Sequence, residues 1–138
     1  ISCHLVDGGM SEDNWKMLSF IGNIVAKADC AWMVLGDFNM STDELARTGW
    51  IAQVKGVALS IEGHTYRNPR GKSRAIDCVV VDKRIAHCVL HVETLNDAPT
   101  SPHIPVAVTM SVEDAHECGT ALKRKNIVRE VPPFGLAR

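Results

Sequence analysis

Residues 32–39 read WMVLGDFN: an apolar run, a glycine, then an aspartate and an asparagine separated by one phenylalanine. Apolar residues from Trp32 to Leu35, ending at Gly36, fit a short central strand buried on both faces better than so brief a helix. Beyond the glycine, strand spacing sends Asp37 and Asn39 to one side and Phe38 back toward the core. Two polar groups at the end of a rigid strand stand where open α/β sheets bind ligands. The competing reading of the same letters is a turn in which Asp37 and Asn39 only cap the next segment.

Upstream, residues 1–6 read as a strand with His4 among apolar neighbours, followed by the turn Asp7, Gly8, Gly9. Residue 1 is isoleucine and already strand-like, so the chain is expected to begin inside a larger unit. Ser11 to Asn14 supply cap candidates and negative charge, and Trp15, Leu18, Ile21, Ile24, Val25 and Ala28 recur at three- and four-residue steps. Strand, helix, strand of this length implies a crossover packed on a sheet. Downstream, Ser41 and Glu44 have capping-box spacing and open a short helix, anchored by Trp50, Ile51 and Val54 as core residues.

Further strands are expected at 56–61, 65–66, 75–81, 88–92 and 104–110. Asp77 is the single charge in the run AIDCVVV, so it should be paired or belong to a site. Residues 67–74, RNPRGKSR, read as a loop with four cations, either solvated or leaning toward a polyanion. The order implies an α/β layered domain with one mixed, largely antiparallel sheet over residues 1–112. Lys123, Arg124, Lys125, Pro132 and Pro133 make 113–138 read as a poorly ordered tail.

The chain has 138 residues, is 46% hydrophobic and carries a net charge of -1, which suits one domain with a real core. That charge excludes a nucleic-acid polycation, so phosphate binding must come from local arrangement. The five cysteines, at 3, 30, 78, 88 and 118, form no CxxC pair, which argues against a zinc module. They read as buried free thiols of a reducing, intracellular compartment, cytoplasm or nucleus. No apolar run reaches the roughly 18 residues of a membrane span.

Gly36-Asp37-Phe38-Asn39, the strand Arg74-Ala75-Ile76-Asp77-Cys78-Val79, the segment Ser101-Pro102-His103-Ile104-Pro105-Val106 and the pair His4-Leu5 come in an order and spacing that is specific. Together they resemble the C-terminal half of the endonuclease/exonuclease/phosphatase superfamily, over residues 1–110. The resemblance implies one half of that layered α/β sandwich and a metal-dependent phosphodiester hydrolase. It implies that Asp37 orients or deprotonates the attacking water and that Asn39 hydrogen-bonds a phosphate oxygen or the nucleophile. His103 would touch the scissile phosphate, Asp77 would hold the His103 tautomer, and His4 falls where several members carry histidine or tyrosine.

The resemblance further implies magnesium or manganese held by Asp37 and Asn39, and nucleic acid or another phosphodiester as substrate. Two departures bear on this. Pro102 stands where the family pattern has aspartate, and the family's early asparagine and glutamate have no counterpart before Ile1, so weak metal binding is expected. The alternative is a truncated or degenerate domain of the same fold, a mobile-element remnant or an interaction module. Half a sandwich also leads us to expect self-association through an exposed sheet face.

Overall fold

The crossover expected between the first two strands organises the molecule. The computed structural model describes residues 1–111 and 113. Strand β1 (Ser2–His4) leads through helix α1 (Glu12–Ala26) to β2 (Met33–Asp37), and the two strands pair in parallel. Helices α2 (Thr42–Arg47) and α3 (Trp50–Gln53) follow, then β3 (Gly56–Leu59), β4 (Tyr66–Arg67), β5 (Ser73–Arg74), β6 (Asp77–Asp82), β7 (Val89–Thr94) and β8 (Val106–Met110). The main sheet runs β1-β2-β6-β3, antiparallel after the first pair, which makes β2 an interior strand as expected.

Local chemistry starts the helices. The Ser11 hydroxyl accepts from the Asn14 N–H, and the Ser41–Glu44 capping box is complete in both directions. Helix α1 buries Asn14, Leu18, Ile21 and Val25 against the sheet. Trp15 and Ile24, expected on that face, are 44% and 42% exposed. The contact stripe turns toward Asn14 because its amide, not an aromatic ring, fills the joint with the preceding loop. Trp50 is buried, and its indole N–H donates to the Leu18 carbonyl at 2.8 Å, tying α3 to α1.

Three expectations change. Residues 67–74 are a hairpin rather than an open loop: Tyr66 pairs with Arg74 and Arg67 with Ser73, and the Asn68 carboxamide oxygen accepts from the Arg70 and Lys72 N–H groups. Strands β7 and β8 pair with each other as a separate two-stranded sheet, so the sheet is not single. The main-sheet face away from α1 is less open than expected. Val79 and Val81 are buried there, and residues 104–106 close over Leu35 and Val79 around a cavity of about 290 Å³. This covering gives no support to self-association through that face.

Among the described residues no helix is long and apolar enough to cross a membrane. Cys78 and Cys88 are buried and Cys3 is half-buried, whereas Cys30 is exposed, against expectation. Cys118 and the expected tail, apart from Glu113, lie outside the described residues.

Candidate active site

Register alone brings three candidates into line. His4 pairs with Asp37 and Asp37 with Asp77, so one cross-strand row carries all three side chains on one sheet face. The neighbouring row is Cys3, Gly36 and Cys78, on the opposite face. Gly36 is required there. Its φ is +151°, and a Cβ would lie 1.9 Å from the Cys3 carbonyl oxygen. The glycine of the GDFN stretch therefore lets β1 pass closely enough to set His4 beside Asp37.

The turn before β8 adds the fourth group. His103 Nδ1 lies 3.1 and 3.2 Å from the two Asp77 oxygens, and its Nε2 lies 3.5 Å from Asp37 Oδ2. His4 Nε2 approaches the same Asp37 oxygen at 3.7 Å. A carboxylate only accepts, so Nδ1 of His103 carries the proton and Nε2 is the atom turned toward Asp37. The carboxylates are recessed, at 16% and 20% side-chain exposure, while His103 and His4 reach outward at 40% and 77%.

The two Asp37 oxygens are engaged differently. Asp37 Oδ1 accepts from the Asn39 N–H at 2.8 Å and caps the turn, leaving Oδ2 to the imidazoles. Phe38 is fully buried as expected, and Asn39 leaves the strand at a φ of 50°. The Asn39 amide donates to the Leu5 carbonyl at 2.6 Å, which fixes the orientation of the carboxamide and turns Oδ1 away from that contact. Four of the five candidates thus meet side chain to side chain, and Asn39 joins through the backbone.

Sequence reasoning missed two polar residues that hold this group. Thr65 is buried; its Oγ1 accepts from the Ile76 and Asp77 N–H groups at 3.0 and 2.9 Å, while its carbonyl accepts from the Ile104 N–H at 2.8 Å. One residue therefore sets Asp77 and the segment bearing His103 relative to each other. Beside it, the Pro102 carbonyl accepts from the Arg67 N–H, and the Tyr66 ring meets His103 edge-on at 5.1 Å. Asn14 grips the loop after β1: its carboxamide bonds both the N–H and C=O of Val6 and the Gly9 carbonyl. The Leu5–Val6 peptide unit is thereby held on one side by Asn14 and on the other by Asn39. Asn14 looked like an ordinary cap candidate, and no local signal marked Thr65.

The thiols near the row do not compete as nucleophiles. Burial, with Cys78 and Asp37 adding to it, pushes Cys3 up to about 12, and burial pushes Cys78 up to about 11. Both stay protonated at neutral pH. As for a cation, Asp37 and Asn39 offer hard oxygens, which suits magnesium because that ion takes few protein ligands and keeps water and phosphate for the rest. Among the described residues no group of three or more His, Cys, Asp or Glu is arranged as a metal cage.

The fold and site together define an α/β domain with a histidine–carboxylate cluster at the ends of its central strands. No family model matches the sequence, nor does any curated protein. Among solved structures, the chain is similar to the 3′ phosphatase NExo from Neisseria bound to product DNA hairpin, with a TM-score of 0.56 and 13% identity over 71% of this chain and 51% of that one. It is also similar to the cytolethal distending toxin of Actinobacillus actinomycetemcomitans, with a TM-score of 0.57 and 18% identity over 79% of this chain and 48% of that one. The chain spans about half the length of each. At these identities the likeness shows the fold alone.

Proposed function

We propose that this chain acts as a metal-dependent phosphodiester hydrolase of the nuclease type, with Asp37 activating the attacking water and His103 acting at the phosphate. The observation that carries this reading is the Asp37 Oδ2 atom facing two imidazole nitrogens, one of them on a ring held from behind by Asp77.

Phosphoryl transfer needs an aligned nucleophile and donors for the charge on the equatorial oxygens. Asp37 is the acceptor for a water proton. His103, protonated at Nδ1 and buttressed by Asp77, holds Nε2 beside Asp37, and in its doubly protonated form donates from there to a phosphate oxygen. Asn39 has a second amide hydrogen for the nucleophile or a phosphate oxygen, and His4, the most exposed member, lines the approach. A magnesium or manganese ion, held by the Asp37 and Asn39 oxygens, would supply Lewis-acid polarisation of the phosphate. Nucleic acid is the substrate class favoured, since the basic hairpin 67–74 flanks the His103 segment through Arg67.

A second reading, a non-catalytic domain of the same fold, is favoured by Pro102, which contributes a carbonyl where the family pattern has a carboxylate. A magnesium titration of phosphodiesterase activity on a generic diester, with Asp37→Ala and His103→Ala variants, separates the two. The hydrolase reading expects metal-dependent activity that disappears in both variants. A folded protein with no activity at any metal concentration would leave the non-catalytic reading in place.

A further inference from the structure

A second polar pocket lies beside the cluster and shares Asn39 with it. It has a volume of about 390 Å³ and is walled by the Asp7–Gly9 loop, Asn39, Glu44 and Arg47 of α2, and Arg74 at the end of β5. We propose that this pocket is a subsite for the phosphodiester neighbouring the scissile one in a polynucleotide strand, with Arg47 and Arg74 as its anion ligands. The inference rests on the hydrolase reading for what occupies the adjacent cluster.

The charges in the pocket are not equally committed. Glu44 is bound to its own helix: its Oε2 accepts the Ser41 N–H at 2.7 Å and the Ser41 hydroxyl at 2.9 Å. Those two bonds chiefly hold its carboxyl below the usual range, and Arg47 and Arg74 both line the same corner. Among the described residues the Arg47 guanidinium has no hydrogen bond or ion pair of its own. Arg74 has one weak partner, Asp7, at 3.8 Å.

Asp7 is the displaceable member. Its side chain is 76% exposed against 50% for Arg74, and an ion pair that open to water exchanges readily with other anions. It sits on a loop where Gly8 and Gly9 both have positive φ and nothing lies within 4 Å of a would-be Cβ. When Asp7 swings aside, two guanidiniums against one committed carboxylate leave a single positive charge. One phosphodiester is the complement of that charge, whereas a phosphomonoester headgroup would bring close to two. The adjoining wall at Asn39 places the pocket alongside the cluster, where a strand crossing Asp37 and His103 would present its next phosphate.

The test is fluorescence anisotropy of a labelled single-stranded oligonucleotide with the full chain in EDTA, titrated with salt. Arg47→Gln and Arg74→Gln should each weaken binding and lower the log–log salt slope by about 0.7, the value for one single-strand phosphate contact. Asp7→Asn should tighten binding, and Lys83→Gln, just past the far end of β6, should leave the slope unchanged. Unchanged slopes in the first two variants, an equal fall in Lys83→Gln, or no binding by the wild type would each overturn the subsite. Circular dichroism of each variant establishes that the fold is kept. Binding without metal needs no turnover, so an inactive protein with the expected slopes would sink the hydrolase reading and keep the subsite. Diester hydrolysis with unchanged slopes would do the reverse.

Discussion

Strand β6 begins and ends on a carboxylate, and the molecule treats the two differently. At one end Asp82 takes both the Arg84 backbone N–H and its side-chain Nε–H at 2.9 Å, and the guanidinium closes a second side-chain bond. At the other end Asp77 faces a histidine, and that histidine turns its second nitrogen toward another carboxylate. Asp82 is matched by a cation that never loses its charge. Asp77 is matched by an imidazole that is 40% exposed. What separates the two carboxylates is the partner, a closed arginine clamp at one end and a partly exposed imidazole facing a second carboxylate at the other; both carboxylates are shielded from solvent.

The sharpest way to break this comparison is Asp77→Asn. An amide cannot accept on both atoms, so the His103 tautomer is no longer imposed. We expect kcat for diester hydrolysis to fall about 10²- to 10⁴-fold, with the thermal melt nearly unmoved. A loss of stability without a larger loss of rate would make Asp77 as structural as Asp82.

Thr65→Val tests the bracket between Asp77 and the His103 segment. It leaves two buried N–H groups without their acceptor and should cost about 3 kcal/mol in urea denaturation. Thr65→Ser should restore most of that, and failure of the serine to rescue would point to packing of the methyl group instead.

Asp82→Asn is the mirror experiment at the far end of the strand. It should cost on the order of 2 kcal/mol of stability, as for charge-assisted hydrogen bonds, and leave the rate per folded molecule unchanged. A fall in kcat/KM comparable with that of Asp77→Asn would erase the distinction between the two ends.

The smallest effect appears only in alkali. Cys3 and Cys78, on the opposite face from the cluster, are pushed up to about 12 and about 11 from an ordinary 9.0. The folded state favours their protonated form, so their contribution is intact below pH 9 and is lost as pH rises through 11 to 12. Melting temperature should fall over that window, and a Cys78→Ala variant should show a shallower fall. At neutral pH a maleimide should label exposed Cys30 ahead of both.

Much of the site was legible because its signals are short or come in order. The Ser41–Glu44 spacing, the glycine ending an apolar run and the inward Phe38 are relations within a few residues, and the structure keeps them. Asp37 and Asn39 were singled out at the end of an apolar run and Asp77 as the single charge within another, while His103 and His4 entered through the resemblance of the motif order to a known superfamily. Thr65, the Asn14 clamp and the Arg47–Arg74 pocket were not legible, since each depends on residues far apart in sequence reaching one point. Residues 67–74 misread for the opposite reason: their composition is that of a loop, and pairing at the ends is set by Thr65 and Arg74 meeting across the turn.

The sequence by itself determined most of the local elements, the alternation that turns polar atoms out at strand ends, and the identity of the polar groups that meet in the cluster. Periodicity, capping and side-chain type are properties of neighbouring residues, and they survive in any fold the chain adopts. The tertiary structure alone decided that His4, Asp37 and Asp77 share one row, that His103 closes over it, and that Asp82 is closed off by an arginine while Asp77 is not. Those are matters of strand register, where a slip of one residue would send every side chain to the other face.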